Sequence, residues 1–326
     1  MNEWYIVFGI LILAAAAVDF VWTTLWVEGG AGPLTRRLST GLWRAFVHLT
    51  TNERLLSLAG PLILLATFTM WIGLFWCGWT LVFSSSSTSL VLSNTATPVS
   101  LADRFYFTGY ILFTLGNGEI VPNGPIWQWI TIFATATGMF SVTLSVTYLL
   151  NILTAVNQKR AFANSVTGIG ETSIEIVESA WNQKDFHDLD LLLQSFSADL
   201  SKLVSQHQAY PILHYYRSES TQKSSVTAVC ILDDALTLLG CVPIEQQPNQ
   251  LLMKETRSSI ASYLHTLSTA HINPAKAAPP IPEYKNQLNN LPIKSEEQIQ
   301  KAFHTIEDRR KQLLGIIQAS ARQWPG

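Results

Sequence analysis

Charge is what this chain has least of. Only 13% of its 326 residues are Asp, Glu, Lys or Arg, and the formal net charge is -2. So sparse and balanced a set excludes the basic patch of a nucleic-acid binder and supplies no field to recruit a strongly acidic partner. Cysteine is also scarce. Cys77 falls in an apolar run, and Cys230 and Cys241 lie far downstream in helical-looking sequence. That excludes a disulfide framework and a zinc site, and three buried free thiols are expected. A Walker loop, a cyclic-nucleotide pocket signature and a nucleophile paired with a base are all lacking, which argues against an enzyme. Gly168-Ile169-Gly170 lacks a preceding strand and a third glycine, so it reads as a helix end or junction.

Apolar residues are abundant instead: 48% of the chain is hydrophobic, 11 residues are tryptophan, and the mean hydropathy is +0.21. Crossing a bilayer takes roughly 20 helical residues. Three stretches are long enough, from about Trp4 to Val27, Leu58 to Phe83 and Ile126 to Ala155. No basic residue precedes the first, and its apolar run exceeds a usual signal core, so it reads as an uncleaved helix. Arg36, Arg37, Arg44 and Arg54 lie between the first two spans, and Lys159 and Arg160 follow the third, whereas Arg104 is the sole basic residue from Ser84 to Pro125. This bias puts the amino terminus outside and the carboxyl terminus in the cytoplasm of a multi-pass protein of the cell (inner or plasma) membrane. Trp71, Trp76 and Trp79 suit either an interfacial belt or packing between helices. Asp19, inside the first span, calls for an interfacial position or a bond to a neighbouring helix rather than a gating role.

Between the second and third spans runs SLADRFYFTGYILFTLGNGEIVPNGP, whose apolar part, Phe105 to Leu115, has 11 residues. It is too short to cross, so it must enter and return on one side. Non-helical backbone survives at membrane depth only where it is buried in protein or lines water, which points to a polar passage. The motif Thr114-Leu115-Gly116-Asn117-Gly118-Glu119 closes this helix, and Pro122, Asn123, Gly124 and Pro125 make an outer turn after it. Over about a hundred residues this region resembles the pore-loop cation channel superfamily, in particular the prokaryotic two-transmembrane potassium channels, and also the related non-selective sodium/potassium channels. In that family a T-V-G-Y-G-D loop presents carbonyl oxygens to the ion.

The resemblance implies a homotetramer with the passage on its fourfold axis, a filter of Thr114, Leu115, Gly116, Asn117 and Gly118, and a ring of Glu119 carboxylates at the outer mouth. It implies no cofactor, only permeant potassium and, with a looser filter, sodium. Asn117 stands where potassium-selective members carry an aromatic, Phe107 matches a supporting aromatic of the pore helix, and Phe113 replaces a threonine. Either the filter is looser, or Tyr110 donates to the Glu119 carboxylate as a different brace. Gly138, 22 residues after Gly116, matches the family's inner-helix hinge and suits close packing equally. Thr143, Thr147, Asn151 and Thr154 share one helix face, either lining a watery cavity or bonding back to their own helix.

The expected fold is an all-α membrane protein with three transmembrane helices. It comprises an extra first helix (1–30), a cytoplasmic linker (31–56), a pore domain (57–157) and an all-helical cytoplasmic domain (158–326). Apolar periodicity in that last part places helices near Ser225 to Leu239, Asn249 to His271 and Ser295 to Ala321, with NPAKAAPPIPEY as a connector. Its scattered histidines and the run DFHDLD match no metal-site spacing and read as solvated helix-face residues. A cytoplasmic ligand or partner of unidentified kind is compatible with this half. The alternative to a channel is a non-conducting receptor or scaffold that uses the helical half to bind a partner.

Overall fold

The structure is a computed structural model that describes residues 2–26, 30–50, 52–268, 273–282, 291–292 and 296–325. Val27, His271 and Ser295, expected ends of three helices, lie outside the described residues. The protein is all-α, as its composition and periodicity predict, and among the described residues one two-stranded hairpin is the exception. Its chain divides into two compact units: Met1–Leu42 with Pro61–Ile152, and Trp43–Gly60 with Leu153–Gly326.

Three helices are long and apolar enough to span a bilayer: α1 (Glu3–Leu25), α4 (Ala59–Ser84) and α6 (Pro125–Thr167). Less than a third of the apolar window of α1 or α6 is buried, and only 33% of that of α4. Faces carrying Leu11, Leu65, Phe133 and Phe140 are thus left for lipid or a second copy. Within the first unit α1 packs on α4 through Ala16, Phe20, Trp71 and Phe75, with the Phe20 and Trp71 rings edge to face at 4.9 Å. Cys77 is exposed on α4, which corrects the expectation of three buried thiols; Cys230 and Cys241 are buried, and all three are free. An apolar run in lipid has no inside, so apolar sequence around Cys77 does not imply burial.

Two more helices occupy the stretch expected to be a linker, α2 (Pro33–Leu49) and the short α3 (Glu53–Ser57). Between α4 and α6 lie β1 (Leu90–Leu92), α5 (Leu101–Leu112) and β2 (Ile120–Pro122). The strands pair antiparallel in the register Leu90↔Pro122, Val91↔Val121, Leu92↔Ile120. α5 begins on a capping box, Ser100 with Asp103, that satisfies its first amides. Arg104 is buried and donates to the carbonyls of Phe83, Ser86 and Ser87 at 2.8–3.1 Å. The loop's only basic residue therefore closes the carboxyl end of α4, where exposed carbonyls and the helix dipole both favour a cation.

α6 runs 12 residues beyond the expected end at Ala155, to Thr167. No breaker intervenes before Gly168, and Phe162, Ala163 and Val166 are buried in the second unit. Gly168 and Gly170 then join α6 to α7 (Ser173–Ala180). The core of this unit surrounds α9 (Ser225–Leu239), all of whose residues are buried; α8 (Asp190–Ala209), α10 (Gln250–Ser268), α11 (Glu296–Thr305) and α12 (Glu307–Ala319) complete it. Two adjacent carboxylates interrupt the apolar surface of α9. Asp234 pairs with Arg310, which also packs over the Phe303 and Trp324 rings, and Asp233 accepts from Arg257 and Arg309. DFHDLD forms a turn in which Asn182 binds Asp185 and Asp188.

A buried histidine gives this unit a pH dependence. His207 Nδ1 lies 2.9 Å from the Leu203 carbonyl, with its ring edge-on to Tyr263. Burial, reinforced by the Lys159 charge, pushes its pKa down to about 3. The unfolded chain takes up a proton below about pH 6.5 that the folded chain refuses until about pH 3, so stability present above pH 6.5 is lost as the pH falls. His207→Phe should flatten unfolding free energy against pH by about 1.4 kcal/mol per pH unit between pH ~6 and ~4. Denaturant titrations at four pH values would show it; identical slopes in the two proteins would mean His207 titrates normally.

Candidate functional site

α5 stops at Leu112 because the backbone changes hand immediately after it. Thr114, Gly116 and Gly118 all have positive φ, at 57°, 59° and 74°, with Leu115 and Asn117 between them on the ordinary side. Glycine takes this region freely; a β-branched threonine does not, so Thr114 is strained. The turn is held by Phe113 N–H donating to Gly109, Thr114 N–H to Ile111 and Leu115 N–H to Tyr110, the last at 2.7 Å. Beyond it, Ser93 N–H donates to the Glu119 carbonyl and fixes the start of the hairpin. Residues 113–119 are exposed, and among the described residues the carbonyls of Thr114, Leu115, Gly116 and Asn117 accept no hydrogen bond.

The side chains behind this loop differ from expectation. Tyr110 is buried and donates its hydroxyl to the Ile120 carbonyl, not to the Glu119 carboxylate. Ile120 is the first residue of β2 and is itself buried, whereas Glu119 is exposed. A phenol buried on α5 therefore meets the strand rather than the loop tip. Phe107 is buried between Phe83 and Tyr110, edge to face with both at 5.2 and 5.0 Å, and belongs to the core behind the loop. Asn117 has a partner that sequence reasoning missed: its amide donates to the Tyr106 hydroxyl at 2.7 Å, while its Oδ1 accepts from Glu119 N–H at 3.3 Å. Tyr106 neighbours the position expected to carry a supporting aromatic, and one turn of α5 separates it from Tyr110.

All three indoles noted on α4 are engaged within the protein. Trp71 donates to Asp19, Trp76 to the Phe105 carbonyl and Trp79 to Thr137. Gly138 has a packing reason: a Cβ there would lie 2.2 Å from the Leu112 carbonyl oxygen, so α6 approaches the end of α5 more closely than any side chain allows. Thr143 and Thr147 are exposed and donate back to Met139 and Thr143, and Asn151, next on that face, is exposed as well. A back-bonded hydroxyl still offers its oxygen to water, so both readings of the stripe hold at once.

A family model described as "Ion channel" matches residues 62–155, from α4 through α5 and the loop into α6. YdjJ of Bacillus subtilis (strain 168), described as an uncharacterized membrane protein, is 52% identical over 328 residues, spanning 100% of this chain and 96% of its own length. The chain belongs to the pore-loop ion-channel family. No solved structure matches it. The family match takes in the loop with positive φ at 114, 116 and 118, and leaves out all of the second unit except its residues 153–155. Helix α1 also lies outside it.

Proposed function

We propose that the protein is a homotetrameric monovalent cation channel of the cell membrane, with residues 114–118 of each copy as its filter. The observation that carries this is the alternation of backbone hand at Thr114, Gly116 and Gly118. In an extended strand successive carbonyls point to opposite sides; alternating hand turns them to one side, as a row of oxygens replacing the water of a bare cation requires. The unpartnered carbonyls of 114–117 and the exposure of 113–119 fit a loop that meets copies of itself around an axis. Four Glu119 carboxylates at the mouth concentrate cations and repel anions. Thr143, Thr147 and Asn151 line a watery cavity below, and Gly138 supplies close packing, with hinge motion at the same point. In this reading residues 57–157 form the pore domain, the amino terminus is outside and 158–326 lie in the cytoplasm. Ion passage needs no covalent chemistry and no cofactor.

The permeant ion is potassium, with sodium discriminated less sharply than a fully braced filter would allow. Asn117 is tied to α5 by one neutral hydrogen bond to Tyr106, a lighter restraint than a packed aromatic at each filter position. Bilayer recording of purified protein under opposed sodium and potassium gradients tests this. The current should reverse between zero and the potassium equilibrium potential, and no current under any stimulus would favour a receptor. Tyr110→Phe removes the bond to Ile120, worth about 1 kcal/mol, and should shift the potassium-to-sodium permeability ratio several-fold. An unchanged ratio and conductance would mean that the strand needs no anchor on α5.

A further inference from the structure

The second unit encloses a small cavity of about 20 Å3 whose lining includes Lys159, Arg217, Arg322, Ser225 and Ser320. That is room for a single water-sized particle and too little for a phosphate ester. Its chemistry is one-sided. Arg217 is buried, and its Nη2 binds Glu53 and the Ala321 carbonyl, but among the described residues its Nε and Nη1 have no hydrogen-bond partner. Lys159 is buried and donates to the carbonyls of Leu213 and Tyr216, at 3.0 and 3.1 Å. Arg322 donates to the Ser218 carbonyl and to Thr221. Among the described residues neither Lys159 nor Arg322 has an ion pair, so three cations share one carboxylate, and Glu53 is half exposed. Two further groups are shifted by burial first and by these charges second. Burial and the Arg217 charge push the Arg322 guanidinium down to about 10. His214, which also lines the cavity, is pushed down to about 4 by burial and then by Lys159, so it stays neutral.

An unpaired buried charge is costly, and so is a buried donor left without an acceptor. A neutral water could accept from Arg217 but would leave the surplus positive charge in place. We propose that this cavity is a binding site for a small monovalent anion of halide size, held by Arg217 Nε and Nη1 in the field of Lys159 and Arg322. The site draws on the end of α6, the segment around Trp43 and Glu53, and the carboxyl-terminal residues near Arg322, so occupancy fastens these parts of the second unit together.

The test uses the full chain in detergent micelles, with thermal unfolding followed by tryptophan fluorescence as sodium bromide replaces sodium gluconate at constant ionic strength. The parent midpoint should rise with the logarithm of bromide concentration once bromide exceeds its dissociation constant, as linkage to a folded-state ligand requires. In Arg322→Gln, at the edge of the cavity, the bromide concentration that produces a given rise should increase about tenfold. Bromide-soaked crystals of the parent give an independent reading: an anomalous peak beside the free edge of Arg217 is expected. A midpoint indifferent to bromide with no such peak would mean the cavity holds water. An equal rise in Arg322→Gln at every bromide concentration would mean a general salt effect, and either result overturns the site.

Discussion

Gly116→Ala should cut the conductance of reconstituted protein by at least an order of magnitude without changing its yield or unfolding temperature. The reason is conformational rather than steric. Gly116 has φ +59°, and within its own chain a Cβ built on it meets nothing within 4 Å, so alanine fits that space but disfavours the backbone. An L-residue in this region costs about 1–2 kcal/mol. One copy could absorb that in an exposed loop. In the proposed tetramer, four copies around one axis multiply it to roughly 4–8 kcal/mol against the conducting arrangement, enough to depopulate it by far more than tenfold. D-alanine introduced at 116 by semisynthesis separates the causes, because it carries the same methyl group but prefers positive φ. Conduction should return with D-alanine. Equal activity of the L-alanine protein and the parent would mean that this alternation of hand plays no part in ion passage.

The parts of this architecture legible in sequence are those written by local physics. Apolar length alone marks α1, α4 and α6. Helix α9 has its expected bounds, Ser225 and Leu239, because Ser224 caps one end and Gly240 follows the other. Gly116 and Gly118 announce positive φ because little else accepts it. What escapes is pairing at a distance. Nothing near Asn117 names Tyr106 as its partner, since the two meet only once α5 turns back on the loop, and Tyr110 reaches Ile120 rather than Glu119 because the hairpin sets which residue is buried. β1 and β2 have three residues each, below the length at which a period of two can be told from chance. α2 is written in the sequence more clearly: Leu34, Leu38, Leu42, Phe46 and Leu49 recur at threes and fours within the stretch expected to be a linker.

Asp19 carries the second large effect. It is fully buried and accepts four donors from two other helices. Leu34 N–H and Thr35 N–H donate at 2.7 and 3.1 Å, the Thr35 hydroxyl at 2.6 Å, and Trp71 Nε1–H at 2.8 Å. Two of these are the first amides of α2 able to donate, since Pro33 at its first position has none, so a carboxylate on α1 acts as the amino-terminal cap of a different helix. Gly32 makes the approach possible: a Cβ there would lie 2.4 Å from Asp19 Oδ1. Asp19→Ala strands all four donors. Soluble proteins would put the loss at about 1–3 kcal/mol for each, but polar groups in an unfolded membrane protein also find partners, and bonds between membrane helices average about 0.6 kcal/mol. With the loss of the cap charge added, about 2–4 kcal/mol is expected, lowering the unfolding midpoint in micelles by on the order of 10 °C. Asp19→Asn keeps an acceptor for the α2 amides but can turn its NH2 toward the Trp71 indole N–H, a donor against a donor. Trp71→Phe should therefore cost less in the Asp19→Asn protein than in the parent, giving a coupling of about 1 kcal/mol in a double-mutant cycle. Additive effects would mean that Asp19 serves α2 alone, and an Asp19→Ala protein as stable as the parent would remove the cap altogether.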